Sequence, residues 1–68
     1  MHVLATRLWE ALSITLVNDG SGWRFSNWST VTDRCPAMLP SGDDRQRRFG
    51  DAREAVDYFR RQYAHLAD

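Results

Sequence analysis

The sequence contains no lysine, a single cysteine and two prolines, and none of its apolar runs approaches the length of a membrane span. Each absence excludes something. Positive charge is carried by arginine alone, nine residues balanced by nine Asp plus Glu, so the formal net charge is zero. The whole-molecule basic field of a histone-like protein is missing, and any nucleic-acid contact has to be local. Cys35 has no partner for an internal disulfide, and the two histidines, His2 and His65, sit near opposite ends. Neither a disulfide nor a metal at ligand spacing is therefore expected to staple the fold. Without an apolar stretch of roughly 18 to 20 residues, and without a basic start followed by a small-residue cleavage site, the chain reads as soluble and cytoplasmic, with no membrane partner.

What remains is 68 residues, 43% hydrophobic and 26% charged, which suffices for a single domain over residues 1–68 with one core. Leu4, Leu8 and Leu12 recur four apart, with Ala5 and Trp9 beside the first two, as on one face of a helix. A strand over the same stretch would put Glu10 on the parity of Leu8 and Leu12, a carboxylate on an apolar face. A short N-terminal helix over Met1–Leu12 is thus favoured over a strand.

Past Leu12 the period changes to two. Leu12, Ile14 and Leu16 alternate with Ser13 and Thr15, and the β-branched content suits a pleated surface. Asn18-Asp19-Gly20-Ser21-Gly22 is rich in turn formers, and Trp23 to Trp28 alternates again, so a β-hairpin is expected. Regular alternation puts Trp23 and Phe25 inside, with Arg24, Ser26 and Trp28 on the other face. Ser29 to Thr32 either extends this strand or starts a third. Asp33 to Asp44 contains both prolines and neither periodicity, and reads as a loop in which Met38 and Leu39 plug an open edge of the core.

Arg45 to Phe49 is either an exposed edge strand or ordered only at Arg48-Phe49. A C-terminal helix from about Asp51 to Leu66 is announced by Asp51 as N-cap and Glu54 three residues on. Ala52, Ala55, Val56, Phe59, Tyr63 and Leu66 form its apolar stripe, with Asp57 and Arg61 spaced to pair on the outer side. The predicted core is Leu8, Leu12, Ile14, Leu16, Trp23, Phe25, Phe49, Val56, Phe59 and Tyr63. The fold class is α+β: a small two-layer domain of N-terminal helix, antiparallel hairpin or three-stranded sheet, and C-terminal helix on one sheet face.

Catalytic chemistry finds little support. Cys35 precedes Pro36 with no base beside it, and reads as a small packed side chain. Asp43-Asp44 lacks further ligands and reads as a solvated turn, so no metal and no cofactor is expected. No glycine-rich phosphate loop opens a helix, and no pair of acids is brought into a cleft. A catalytic site is not expected.

Two candidate contact features remain. Arg45, Arg47 and Arg48 place three guanidinium groups within four residues, suited to bidentate contacts with phosphates or carboxylates, unless Asp43 and Asp44 neutralise them in a solvated loop. Arg24 and Trp28, on the outer parity of the hairpin, are of the types enriched at binding hot spots, unless Trp28 packs beneath the first helix. A core this small rarely yields more than about 3 to 5 kcal/mol, so a homodimer or docking on a larger partner is expected to help.

Phe49, followed by Gly50-Asp51-Ala52-Arg53-Glu54-Ala55 opening an apolar-striped helix, resembles the sheet-to-helix junction of three-stranded DNA readers such as plant AP2 domains and integrase arm-binding domains. The resemblance covers roughly a third of the chain and rests on a junction common to many folds. It implies a sheet face laid into the major groove, whereas this chain offers Arg24 and Trp28 there without a run of basic residues. In size and in lacking catalytic sets, the chain also resembles the stand-alone inhibitors of phages and mobile elements, anti-CRISPR and anti-restriction proteins among them. That similarity implies a non-catalytic protein occupying a surface of a larger protein or ribonucleoprotein assembly. A small DNA- or RNA-binding domain using the same arginines is the alternative.

Overall fold

Residues 1–10, 12–30 and 42–67 are described by the structure, a computed structural model. Strands β1 (His2–Trp9), β2 (Leu12–Asn18) and β3 (Trp23–Thr30) form one antiparallel sheet in the order β1-β2-β3. A short helix α1 (Gly42–Gln46), a longer helix α2 (Ala52–Gln62) and a 3-10 turn at Ala64–Leu66 follow. The fold class is α+β, with a three-stranded sheet and two helices.

The helix expected over Met1–Leu12 is replaced by β1, and a bulge explains the difference. Arg7 pairs with Ser13, yet Trp9 pairs with Leu12, so Leu8 is an extra residue in the ladder. Leu8 is buried and Trp9, its immediate neighbour, packs against the same core. Two successive inward residues break the alternation of a strand and imitate a helical face. The objection raised by Glu10 also falls away, because Glu10 lies in the turn after β1 and faces no sheet interior.

A second bulge corrects the placement of Trp28. Thr15 pairs with Asn27 but Leu16 pairs with Phe25, so Ser26 is the extra residue in β3. Parity flips at Ser26, and Trp28 joins Phe25 on the inner face with only 4% of its surface exposed. Trp28 therefore leaves the set of surface anchors. The core row of β2, Leu12, Ile14 and Leu16, is almost wholly buried.

Helix α2 roofs this face. Phe59 is completely buried, its ring 5.6 Å from Phe25, 4.9 Å from Trp28 and 6.2 Å from Trp9. Burying a side chain of that size contributes about 1.5 to 3 kcal/mol, and edge-on aromatic contacts add to it. The helix starts as its sequence dictates: the Asp51 carboxylate accepts the Glu54 N–H at 2.9 Å, and Glu54 accepts the Gly50 N–H at 3.3 Å. It ends at Gln62, with the Tyr63 N–H donating to the Phe59 carbonyl, four residues before the predicted Leu66. Asp57 and Arg61 form no ion pair.

Between the helices, Phe49 exchanges two backbone hydrogen bonds with Trp23, each 2.9 Å, as a single bridge and not as a strand. The approach needs glycine at position 22, whose φ is +110° and where a Cβ would meet the Phe49 carbonyl at 3.1 Å. Gly42 to Asp44, expected to belong to a loop, begin α1. Cys35, Met38 and Leu39 lie outside the described residues.

Candidate functional site

With α2 on one side, the other side of the sheet is bare of any described helix, with Val3, Ala5, Arg7 and Asn27 exposed and Val17 buried. Antiparallel partners share a face, so the partners of Ser13, Thr15 and Val17 complete it: Arg7, Ala5 and Val3 from β1, Asn27 and Arg24 from β3. No Asp or Glu occurs in any of the three strands. The face accordingly exposes Val3 and Ala5 on its edge strand, with Val17 buried beside them, small hydroxyl and amide groups further in, and two charges, both positive.

Arg24 sits where this face meets the β2–β3 turn. Its Nε is 3.8 Å from the Asp19 carboxylate, which also accepts from the Ser21 hydroxyl at 2.6 Å and the Ser21 N–H at 3.2 Å. Those hydrogen bonds, and then the charge of Arg24, hold the Asp19 carboxyl below its usual value. Ser21 Oγ in turn accepts from Arg48 Nε at 3.4 Å. The turn thereby brings together two of the predicted residues, Arg24 and Arg48, which lie far apart in sequence.

The rest of the arginine cluster is divided by its surroundings. Arg48 donates to the Gln46 carbonyl at 2.9 Å and fastens the end of α1. Arg47 lies over the Tyr58 ring, 4.7 Å from its centre, and 3.7 Å from Asp44. Arg45 is exposed in the last turn of α1. These guanidinium groups do not converge on one point.

Asp44 was not anticipated. Expected as half of a solvated acidic pair, it is 7% exposed and accepts hydrogen bonds from the hydroxyls of Tyr58, at 2.7 Å, and Tyr63. The hydrogen bond to Asp44, then burial and the carboxylate's charge, raise the Tyr58 hydroxyl above its ordinary value. A tyrosine held neutral in this way ties α1 to α2. Half-buried tyrosines at 58 and 63 each require an acceptor, which was the available signal.

Among the described residues, no three His, Cys, Asp or Glu side chains come together, and no helix is long and apolar enough to cross a membrane. Two grooves among the described residues are open to solvent. One, of about 310 Å³, lies beside Phe49 and Tyr58, and one of about 380 Å³ lies between β1 and α2.

No family model matches the chain. Searches of curated proteins and of solved structures also find no match.

Proposed function

We propose that this chain is a small non-catalytic binding module that acts by covering a surface of a larger macromolecular assembly, with the bare sheet face as its contact. The observation that supports this most is the composition of that face: exposed Val3 and Ala5 beside Arg7 on β1, Arg24 across the sheet on β3, and no acidic residue in any strand. Protein contact surfaces commonly combine apolar residues with arginine. The partner is an acidic protein or ribonucleoprotein surface. Arg24 and Arg48, joined through the Asp19–Ser21 turn, extend the contact around one end of the sheet, and Arg45 adds an exposed guanidinium nearby in sequence. The narrower reading, an anti-CRISPR-like inhibitor carried by a phage or mobile element, rests on chain size alone.

The experiment is affinity capture from cells that carry the gene, comparing the native chain with Arg7→Glu/Arg24→Glu. Loss of a specific partner in a variant with an unchanged circular-dichroism spectrum is expected. Equal recovery by both would contradict the proposal.

A second reading is favoured by the same charge asymmetry: binding of DNA or RNA across the open face. Only this reading predicts affinity for a bare duplex or single strand that falls steeply with salt, because each phosphate contact releases counterions.

A further inference from the structure

Strand β1 is the edge of the sheet, and among the described residues nothing pairs with its outer side. Every second residue of this eight-residue strand turns its backbone donor and acceptor to that open side. Edge strands are usually protected by lysine, proline, a bulge, inward charge or brevity. β1 contains no lysine, proline or acid, its one permanent charge is Arg7, and its bulge sits at the far end, at Leu8. Among the described residues, the large exposed hydrophobic ones, Met1 at 85%, Val3 at 64% and Leu4 at 38%, all lie on this strand or at its start.

The helix layer stops short of the same edge. Leu4 and Thr6 on the inner face of β1 and Ala52 and Val56 of α2 line the groove of about 380 Å³, with Arg53, Asp57 and Arg60 along its rim. The rim residues alternate in sign at steps of three and four, and none forms an ion pair among the described residues. An occupant must therefore offer an extended backbone, apolar side chains for the groove, and a rim of the same alternating charge.

A second copy of this chain meets all three conditions. We propose that two copies pair β1 against β1 in antiparallel fashion about a two-fold axis, giving a continuous six-stranded sheet with both α2 helices on one side. Paired residues in an antiparallel ladder share a face, so the axis passes through a residue and not between two. Centred on Ala5, the register sets Leu4 opposite Thr6 of the second copy on the groove side. On the open side Val3 then meets Arg7 of the second copy. The two Arg7 side chains fall four positions apart along the strand, about 14 Å at about 3.4 Å per residue, so like charges do not meet.

The α2 helices run antiparallel across the axis, which offers Asp57 of one copy to Arg53 or Arg60 of the other. A specific interface buries at least about 1,200 Å² in total, so the helix rims must contribute beside the strand edge.

Sedimentation equilibrium of the whole chain tests this, with Leu4→Lys and Cys35→Ser/Ala5→Cys as variants. Dimer mass is expected for the native chain, with Leu4→Lys raising the dissociation constant at least tenfold. The Ala5→Cys variant is expected to give a covalent dimer with a short bis-maleimide, since the two-fold sets the two position-5 side chains directly opposite each other, with Cβ atoms about 5.5 Å apart. If Leu4→Lys fails to fold, the cross-link decides. A native chain of monomer mass up to about 1 mM overturns the proposal, as does a dimer that neither Leu4→Lys weakens nor Ala5→Cys captures.

Discussion

Phe25 and Trp28, three positions apart on one strand, face the same way, their rings meeting edge-on at 6.3 Å between centres. Alternation forbids this, and the bulge at Ser26 permits it. Both aromatics then reach Phe59 of α2, so one extra residue in β3 sets the composition of the core.

Deleting Ser26 is therefore expected to be far worse than replacing it. The deletion restores strict alternation and sends either Phe25 or Trp28 into water, and cooperative thermal unfolding should vanish. Ser26→Gly keeps the extra residue and should cost about 1 kcal/mol or less. Calorimetry of the two variants checks the difference.

Truncating the roof should be equally telling. Phe59→Ala removes a fully buried ring that touches four aromatic neighbours, and such changes cost about 3 to 5 kcal/mol. A core of this size holds about that much in total. The expected result is a chain without a cooperative urea transition, where Arg61→Ala, on the exposed side of the same helix, leaves the midpoint nearly unchanged.

The latch between the helices makes a pH prediction. Tyr58 is raised above its ordinary value in the folded chain by its hydrogen bond to Asp44. The stability it contributes is fully present below the unfolded value of about 10, and is lost as pH rises through the higher folded value. Alkaline unfolding should begin above about pH 10 and be less steep in Tyr58→Phe. At neutral pH, Asp44→Ala leaves two tyrosine hydroxyls without their acceptor and should cost about 1 to 3 kcal/mol.

The turn makes the opposite prediction. Asp19 is held below its usual value by Ser21 and Arg24. Its contribution is present above the unfolded value and fades as pH falls through the folded one. The turn should loosen only under strong acid, and Ser21→Ala should move that change to higher pH, read from the Gly20 and Ser21 amide resonances.

Cooperative packing explains what the sequence disclosed and what it concealed. The hairpin was legible because Leu12, Ile14 and Leu16 alternate cleanly and the turn formers sit between the runs. The last helix was legible because Asp51 and Glu54 cap it and its stripe is continuous. Strand β1 and the inward face of Trp28 were concealed because each region holds a bulge, at Leu8 and at Ser26, and bulges are fixed by pairing with β2, not by local preference. Trp28 was placed outside for that reason. Asp44 was placed in solvent because its partners, Tyr58 and Tyr63, lie 14 and 19 residues away in sequence. Of the candidate contact residues, Arg24 lies beside the open face, while Arg47 and Arg48 act mainly to hold α1 in place.

The most direct measurement is site-specific photo-cross-linking in cells that carry the gene, with a benzophenone side chain placed in turn at Thr15, in the middle of the bare sheet face, and at Arg61, on the exposed side of α2. The account predicts a discrete cross-link to a larger partner from Thr15 and none from Arg61. A partner captured from Arg61 but not from Thr15 would contradict it.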